Sequence, residues 1–331
     1  MDNYVPPFII TNVMLDRISS IMKKIGKLDN YKDLNKMPIL RRNNRIKSIH
    51  SSLAIEANSL SFEQVKDIID GKLVLGPKKE IQEVQNAYNA YLKIGDVNPY
   101  SINDLKIMHG TLTYLTIEES GVFRKGNEGV FDEKGNCIHV CPPPEQINML
   151  MDQLFDWMKA NALKVHPLIL SSVFHYEFVF IHPFSDGNGR TARLWQNVIL
   201  SNWEDIFEYV PIESEIMKYQ DEYYTVINNC NIVGNSTEFV EFMLKMIDEV
   251  LDGLIEGIIN HINHASSYVK RLVDVMESGI PYTTYELMKL LDMKSRVSFR
   301  ENYLVPAIDN GLIKMTYPNN PTNRNQTYYK D

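Results

Sequence analysis

Residues 167–181, PLILSSVFHYEFVFI, are apolar on nearly every face. A helix with no side to offer water sits at the centre of a domain, and other elements must cover it all round. The chain is 331 residues long, enough for about two domains of ~150 residues. It can bury a core without a metal or disulfide staple. With 44% hydrophobic and 23% charged residues it has the composition of a globular protein, not of a coiled-coil rod or a disordered chain. Lys and Arg number 34 against 42 Asp and Glu, a net charge of −8. That balance excludes a general coat for nucleic acid or anionic membrane and leaves room for a local basic patch. The three cysteines, Cys137, Cys141 and Cys230, are few and odd in number, as expected of free thiols in a reducing compartment. The N-terminus has no basic n-region followed by an apolar h-region, and no run of ~18 uncharged apolar residues occurs. The expected location is cytoplasmic, without membrane contact.

Helical patterns surround the apolar segment. Residues 9–28 repeat apolar side chains every three or four positions, and Pro38 opens a second amphipathic stretch that breaks at Asn58-Ser59. Ser61 with Gln64 forms a capping box for 62–70, and Gly71 stops that helix. Another helix is expected at 79–94. Residues 121–144 change character, with four glycines and short β-type runs around Glu133-Lys134-Gly135-Asn136, and read as a hairpin ended by three prolines. Helices follow around Met149–Met158, from about Gly189, at 214–231 and at 236–262. The tail, 266–331, gives two helices and a strand pair, the order of a winged helix-turn-helix. The expected domains are 1–95, 96–262 and 266–331.

The chemistry concentrates in HPFSDGNGRTAR, residues 182–193. His182 ends the buried helix, partly desolvated, where an imidazole can take up or release a proton near neutral pH. Asp186 is a lone carboxylate, the way Mg²⁺ is usually held when phosphates and water complete its shell. Gly187-Asn188-Gly189 leads into a helix N-terminus, where close backbone approach and free N–H groups cradle an anion. Arg190 and Arg193, at i and i+3, share a helix face and aim two guanidinium forks at one place. The twelfth position from Asp186 is Asn197, not the glutamate of an EF-hand, and no Gly-rich run ends in Gly-Lys-Ser/Thr as in a Walker loop.

This string resembles the Fic motif, HxFx(D/E)GNGRxxR, at every fixed position, and the order of elements resembles the family over roughly residues 40–250. The resemblance implies a mainly α fold, a Fic helical bundle with a β-hairpin flap. It implies transfer of AMP from ATP, with Mg²⁺, to a Ser, Thr or Tyr hydroxyl of a target protein. By the same resemblance His182 is the general base and Asp186 holds Mg²⁺. Asn188 with the Gly187 and Gly189 amides would steady the transferred phosphate, Arg190 would bind the leaving side, and Arg193 the γ-phosphate. Phe184 is the motif's apolar anchor. Tyr224 and Asn231 are the expected adenosine contacts, and Glu128, Gly129 and Val130 the flap strand on which a target segment would dock through main-chain bonds.

Residues 51–60, SSLAIEANSL, resemble the family's inhibitory motif (S/T)xxxE(G/N), with Ser52 and Glu56 in the named positions. The resemblance implies that Glu56 pairs with Arg193 and blocks the γ-phosphate clamp, with Ser52 supporting Glu56 by a hydrogen bond. The chain departs from that motif at Ala57, where Gly or Asn is expected. A transferase with another nucleotide donor, or one that removes AMP, stays open, as does a homodimer.

Two other constellations carry less. Cys137, His139 and Cys141 share a strand face, but a structural zinc needs a fourth ligand, so packing in the flap is the favoured role. His175 reads as a satisfied core histidine. From 278 onward seven basic and five acidic residues leave the tail at +2 and the remainder at −10. A DNA-binding regulator whose Fic domain senses nucleotide is the competing reading, with Arg296 and Arg300 reaching phosphate. A protein-docking or dimerising tail stands beside it.

Overall fold

The buried segment forms helix α7 (Pro167–Ile181), in which every side chain from Leu168 to Phe178 is buried. In the computed structural model, which describes residues 4–30, 38–131, 135, 137–309, 311–318, 320 and 323–330, helix α8 (Asn188–Trp203) packs along it. Phe155, Phe174 and Trp195 meet between α7, α8 and α6 (Pro144–Asn161), with ring centroids 5.6–6.5 Å apart. The Trp195 indole N–H donates to Pro99 O at 3.2 Å, so the largest core side chain leaves no orphan donor.

Around this centre run α1 (Asn12–Asn30), α2 (Pro38–Ile55), α3 (Phe62–Ile69), α4 (Lys78–Tyr91) and α5 (Ile102–Leu112), then α9 (Ile212–Lys218), α10 (Gln220–Val233) and α11 (Thr237–Asp274). The fold is mainly α. The chain divides into two compact units, Met1–Gly253 and Leu254–Asp331.

Several boundaries differ from expectation for local reasons. Helix α1 begins at Asn12 because the Thr11 hydroxyl caps it, accepting from Met14 N at 3.2 Å. The stretch expected as one helix over 214–231 is two. Tyr219 leaves helical dihedrals (φ −111°, ψ 33°), and its N–H closes α9 while its carbonyl opens α10. Helix α11 does not stop at 262 but runs to Asp274. The capping box of α3 forms as expected, Ser61 Oγ accepting from Gln64 N and Gln64 Oε1 from Ser61 N. The hairpin consists of β1 (Gly129–Phe131) and β2 (Cys137–Val140), antiparallel, with a bulge between Val130 and Phe131. Its expected turn residues Glu133, Lys134 and Asn136 lie outside the described residues.

The second unit has its own core of Leu272, Leu287, Phe299, Ala307 and Ile313. Its elements are α12 (Thr284–Leu290), α13 (Arg296–Phe299), α14 (Val305–Asp309) and the antiparallel pair β3 (Lys314–Met315) and β4 (Tyr328–Tyr329). A π turn at Arg300–Leu304 joins α13 to α14. Pro306 accounts for it, because a proline has no N–H to return to the carbonyl four residues back.

One core charge has a measurable consequence. Glu177, on α7, is buried, and burial raises its pKa from 4.5 to about 7, against the Tyr4 hydroxyl that donates to it at 2.7 Å. The native chain therefore holds a proton that the unfolded chain releases, so stability falls as pH rises from 4.5 towards 7 and is flat above. The contribution is about 3 kcal/mol. Glu177→Gln is expected to abolish that slope, gaining on the parent by about this amount between pH 4 and pH 8 in urea unfolding.

Candidate active site

The site is built on the turn between α7 and α8. His182 ends α7 in the left-handed region (φ 51°, ψ 59°), a conformation that costs a side-chain-bearing residue about 1 kcal/mol. Two bonds hold it there: its N–H donates to Phe178 O at 3.0 Å, and its carbonyl accepts from Arg124 Nε at 2.7 Å. Phe184 is fully buried and stacks on His109, centroids 3.6 Å apart and planes 3° apart. Burial pushes His109 down to about 4, so its ring is neutral. Nδ1 accepts from Gly121 N at 3.0 Å, which leaves Nε2 to donate to Asp186 O at 2.9 Å.

Asn188 spends its side chain on the turn. Its Oδ1 accepts from Phe184 N at 3.0 Å and its Nδ2 donates to Phe184 O at 2.7 Å. These two bonds brace the turn across residues 184–188. Gly187 takes φ 79°, and a Cβ there would come within 3.0 Å of Thr113 Cγ2, so only glycine fits. The N–H groups of Asn188, Gly189 and Arg190 fall in the first turn of α8 and have no intrahelical acceptor.

Over that turn sits the Glu56 carboxylate. A Cβ on Gly189 would collide with it. Glu56 Oε1 pairs with Arg193 Nη2 at 2.7 Å, and Arg193 is almost wholly buried. Burial alone would weaken the guanidinium's hold on its proton; the Glu56 charge outweighs it and raises the pKa, so Arg193 stays charged. Ser52 does not bond Glu56 as expected. One helical turn back, its hydroxyl accepts from Arg193 Nε at 3.1 Å and its carbonyl from Arg193 Nη2 at 2.9 Å. It holds the arginine, not the carboxylate, from the buried side of α2.

The end of α2 explains the departure at Ala57. Asn58 N donates to Leu53 O at 3.1 Å and Ala57 N to Ala54 O at 3.0 Å, the paired bonds of a Schellman ending. Glu56 is then the last half-helical residue and Ala57 the left-handed one, at φ 63°. Gly and Asn are at ease there and alanine is not, by about 1 kcal/mol. Ala57→Gly is expected to seat Glu56 more firmly and lower basal activity a few-fold, measured beside Glu56→Gly as the unplugged reference. A rise in activity would mean that the strain lies outside the plugged state.

Arg190 is committed too. Its Nη1 donates to Glu83 Oε1 at 3.1 Å and its Nη2 to Asp186 Oδ1 at 3.2 Å, while Nε is buried without a partner among the described residues. Glu83 also accepts from Asn58 Nδ2 at 3.0 Å, and Glu80 Oε2 accepts from Ser59 N at 2.7 Å. Helix α4 thus grips the segment that follows Glu56 and Arg190 together. Asp186 is half-exposed, with Lys79 Nζ 3.9 Å from its Oδ2. No group of three or more His, Cys, Asp or Glu side chains is placed to hold a metal ion by itself among the described residues. A lone, accessible carboxylate fits Mg²⁺, whose other ligands would be phosphate and water.

Tyr224 and Asn231 lie two turns apart on α10. The Tyr224 hydroxyl donates to Ile55 O at 3.3 Å, beside the end of α2, and Asn231 Oδ1 accepts from Tyr176 OH at 2.9 Å. In the flap, Glu128 O accepts from Cys141 N at 3.2 Å, and Gly129 and Val130 pair with Val140 and His139. His139 Nε2 lies 2.8 Å from Phe180 O, fastening β2 to α7. His175 is fully buried between Gln196 Oε1 at 2.6 Å and Tyr223 OH at 2.9 Å, and burial pushes it down to about 3.

Sequence patterns missed Arg124. Buried, and with no carboxylate partner among the described residues, it donates to three carbonyls, His182, Gly126 and Pro142, at 2.6–2.7 Å, and its own N–H donates to Pro183 O at 2.9 Å. It ties both roots of the flap to the histidine turn. Arg124→Ala is expected to cost about 3 kcal/mol in urea unfolding, with Arg124→Lys no better, because an ammonium cannot fork to three carbonyls. Glu83 and His109 were missed as well, and only Arg124, in a loop of glycines just before the flap, stood near anything that sequence had marked.

Known proteins agree with this architecture. The Fic/DOC family matches residues 99–200, and a Fic-like C-terminal domain of the proteins termed filamentation induced by cAMP matches residues 267–329. A crystallised Fic family protein from Desulfovibrio desulfuricans G20 is 38% identical and superposes with a TM-score of 0.75 over 99% of this chain and 98% of its own. The chain belongs to the Fic family. Fic-1 from C. elegans, 23% identical with a TM-score of 0.62 over 75% of this chain and 74% of its own, shares the fold. The protein adenylyltransferase Fic of Nematostella vectensis is 29% identical over 62% of this chain, and that of Culex quinquefasciatus 30% over 62%. The chain spans 48% and 41% of those two proteins.

Proposed function

We propose that this chain is a protein adenylyltransferase that moves AMP from Mg·ATP to a Ser, Thr or Tyr hydroxyl of a target protein and is held down by Glu56. One observation carries the reading: a carboxylate ion-paired to a buried arginine over the open first turn of α8, next to a histidine whose Nε2 has no partner among the described residues. An acid occupying an anion cradle marks what the cradle accepts when the acid withdraws.

The roles follow from the groups. Burial lowers the pKa of His182, so the imidazole is neutral at pH 7. Its Nδ1 faces Val179 O at 3.3 Å, which places the ring proton there and leaves Nε2 to accept. Nε2 takes the proton of the target hydroxyl as its oxygen bonds to the α-phosphorus, and the bond to the β-phosphate oxygen breaks, releasing pyrophosphate. Arg190 and Arg193 bind the departing phosphates, and the α8 first turn steadies the charge on the group in transfer. Asp186 would hold Mg²⁺, which supplies charge neutralisation along the phosphates. Incubating Glu56→Gly with Mg·ATP, and separately with Mg·UTP, and weighing the protein by mass spectrometry tests the reading. A gain of one AMP supports it; no adduct, or UMP in preference, overturns the donor.

A further inference from the structure

The second unit carries a groove that this reaction leaves unused. It has a volume of about 1090 Å³ and runs between α12, the helix pair α13–α14 and the face of the β3–β4 pair. Met288, Met293, Leu304, Ile308 and Met315 make its floor. Lys289, Lys294, Arg296, Arg300 and Arg324 stand round it, with Asp292 the one acid on the lining. None of these five cations has an ion-pair or hydrogen-bond partner among the described residues. Arg296, Arg300, Leu304 and Ile308 recur every four residues along α13, the π turn and α14, and all four line the groove.

A second observation points to the ligand. Gln326 lines the groove and is 8% exposed; its Nε2 donates to Thr327 O, and its Oε1 has no partner among the described residues. A buried acceptor left unpaired costs free energy until a donor reaches it. A phosphodiester backbone brings acceptors alone, whereas a peptide brings an N–H with every residue. The apolar floor argues the same way, because a duplex backbone is polar and convex and would leave the methionines uncovered. Methionine floors adapt to varied apolar side chains.

We propose that this groove docks a short acidic, apolar segment of a partner protein, its apolar side chains on the methionine floor and its carboxylates among the five cations. The mode is that of an amphipathic peptide laid in a groove, with arginines reading the acids.

Selecting random short peptides on the full chain, with the exposed-site variant Arg296→Glu/Arg300→Glu as counter-selection, tests it. Enriched peptides should interleave Asp or Glu with Leu, Ile, Phe or Met. Synthesised and titrated, they should bind the variant at least about tenfold more weakly. Arg324→Glu, on a different element, should weaken them too, and circular dichroism checks that both variants fold. No enrichment over the variant, enrichment without acids, or equal affinity for parent and variants overturns the proposal. A labelled DNA duplex bound by the parent, lost in the same variants and not displaced by any selected peptide overturns it in favour of nucleic acid.

Discussion

His182→Ala is expected to lower AMP incorporation by about 10²–10⁴-fold while leaving the fold intact. The fold survives because the His182 side chain makes one long bond, to Val179 O, and the turn is held by its backbone, through Phe178 O and Arg124. Alanine accepts the same two backbone bonds. What it lacks is an imidazole acceptor for the target's proton, and His109, the histidine stacked on Phe184 in the turn, has both ring nitrogens engaged. The parent histidine also sets a pH signature. Burial holds its pKa below the ordinary 6.5, so in the Glu56→Gly background the acid limb of the rate profile should lie below that value and the rate should be flat through neutrality. An acid limb above 6.5 would assign the base to another group.

Glu56→Gly is expected to raise AMP incorporation by about 5–150-fold, the range of a coupling worth 1–3 kcal/mol. The plug works on two points at once. Its charge satisfies Arg193, and its bulk stands over Gly189, where phosphate oxygens would approach the first-turn N–H groups. Removing it opens both. It also strands a buried guanidinium without its carboxylate, so the variant should melt below the parent. Phosphates replace the missing charge, so Mg·ATP should raise the melting temperature of Glu56→Gly more than that of the parent. Equal shifts in the two proteins, or equal activity, would remove Glu56 from control of the site.

Legibility in the sequence followed contact distance along the chain. The capping box of α3, expected and formed, joins positions three apart. Such pairs lie within one turn, where backbone geometry alone decides who meets whom. The Glu56–Arg193 pair is 137 residues apart and was accessible only through the resemblance to a family. Glu83 on Arg190, 107 residues apart, and Arg124 on the His182 carbonyl, 58 apart, had no pattern to announce them. Ser52 was assigned the wrong partner because helical spacing puts it one turn from Glu56, while the guanidinium arriving from α8 takes its oxygens.

By itself the sequence settled which segment must be central, where the histidine turn and its glycines fall, and that helices would dominate with short strand pairs in the middle and in the tail. Those features depend on side-chain period and on local dihedrals, both written in consecutive residues. Tertiary packing alone decided that Arg124 would hold the His182 carbonyl, that Arg190 would share Glu83 with the segment behind the plug, and that five cations in the second unit would surround one apolar groove. Each is a meeting of distant segments, and burial sets its energy by choosing which charges find partners and which do not.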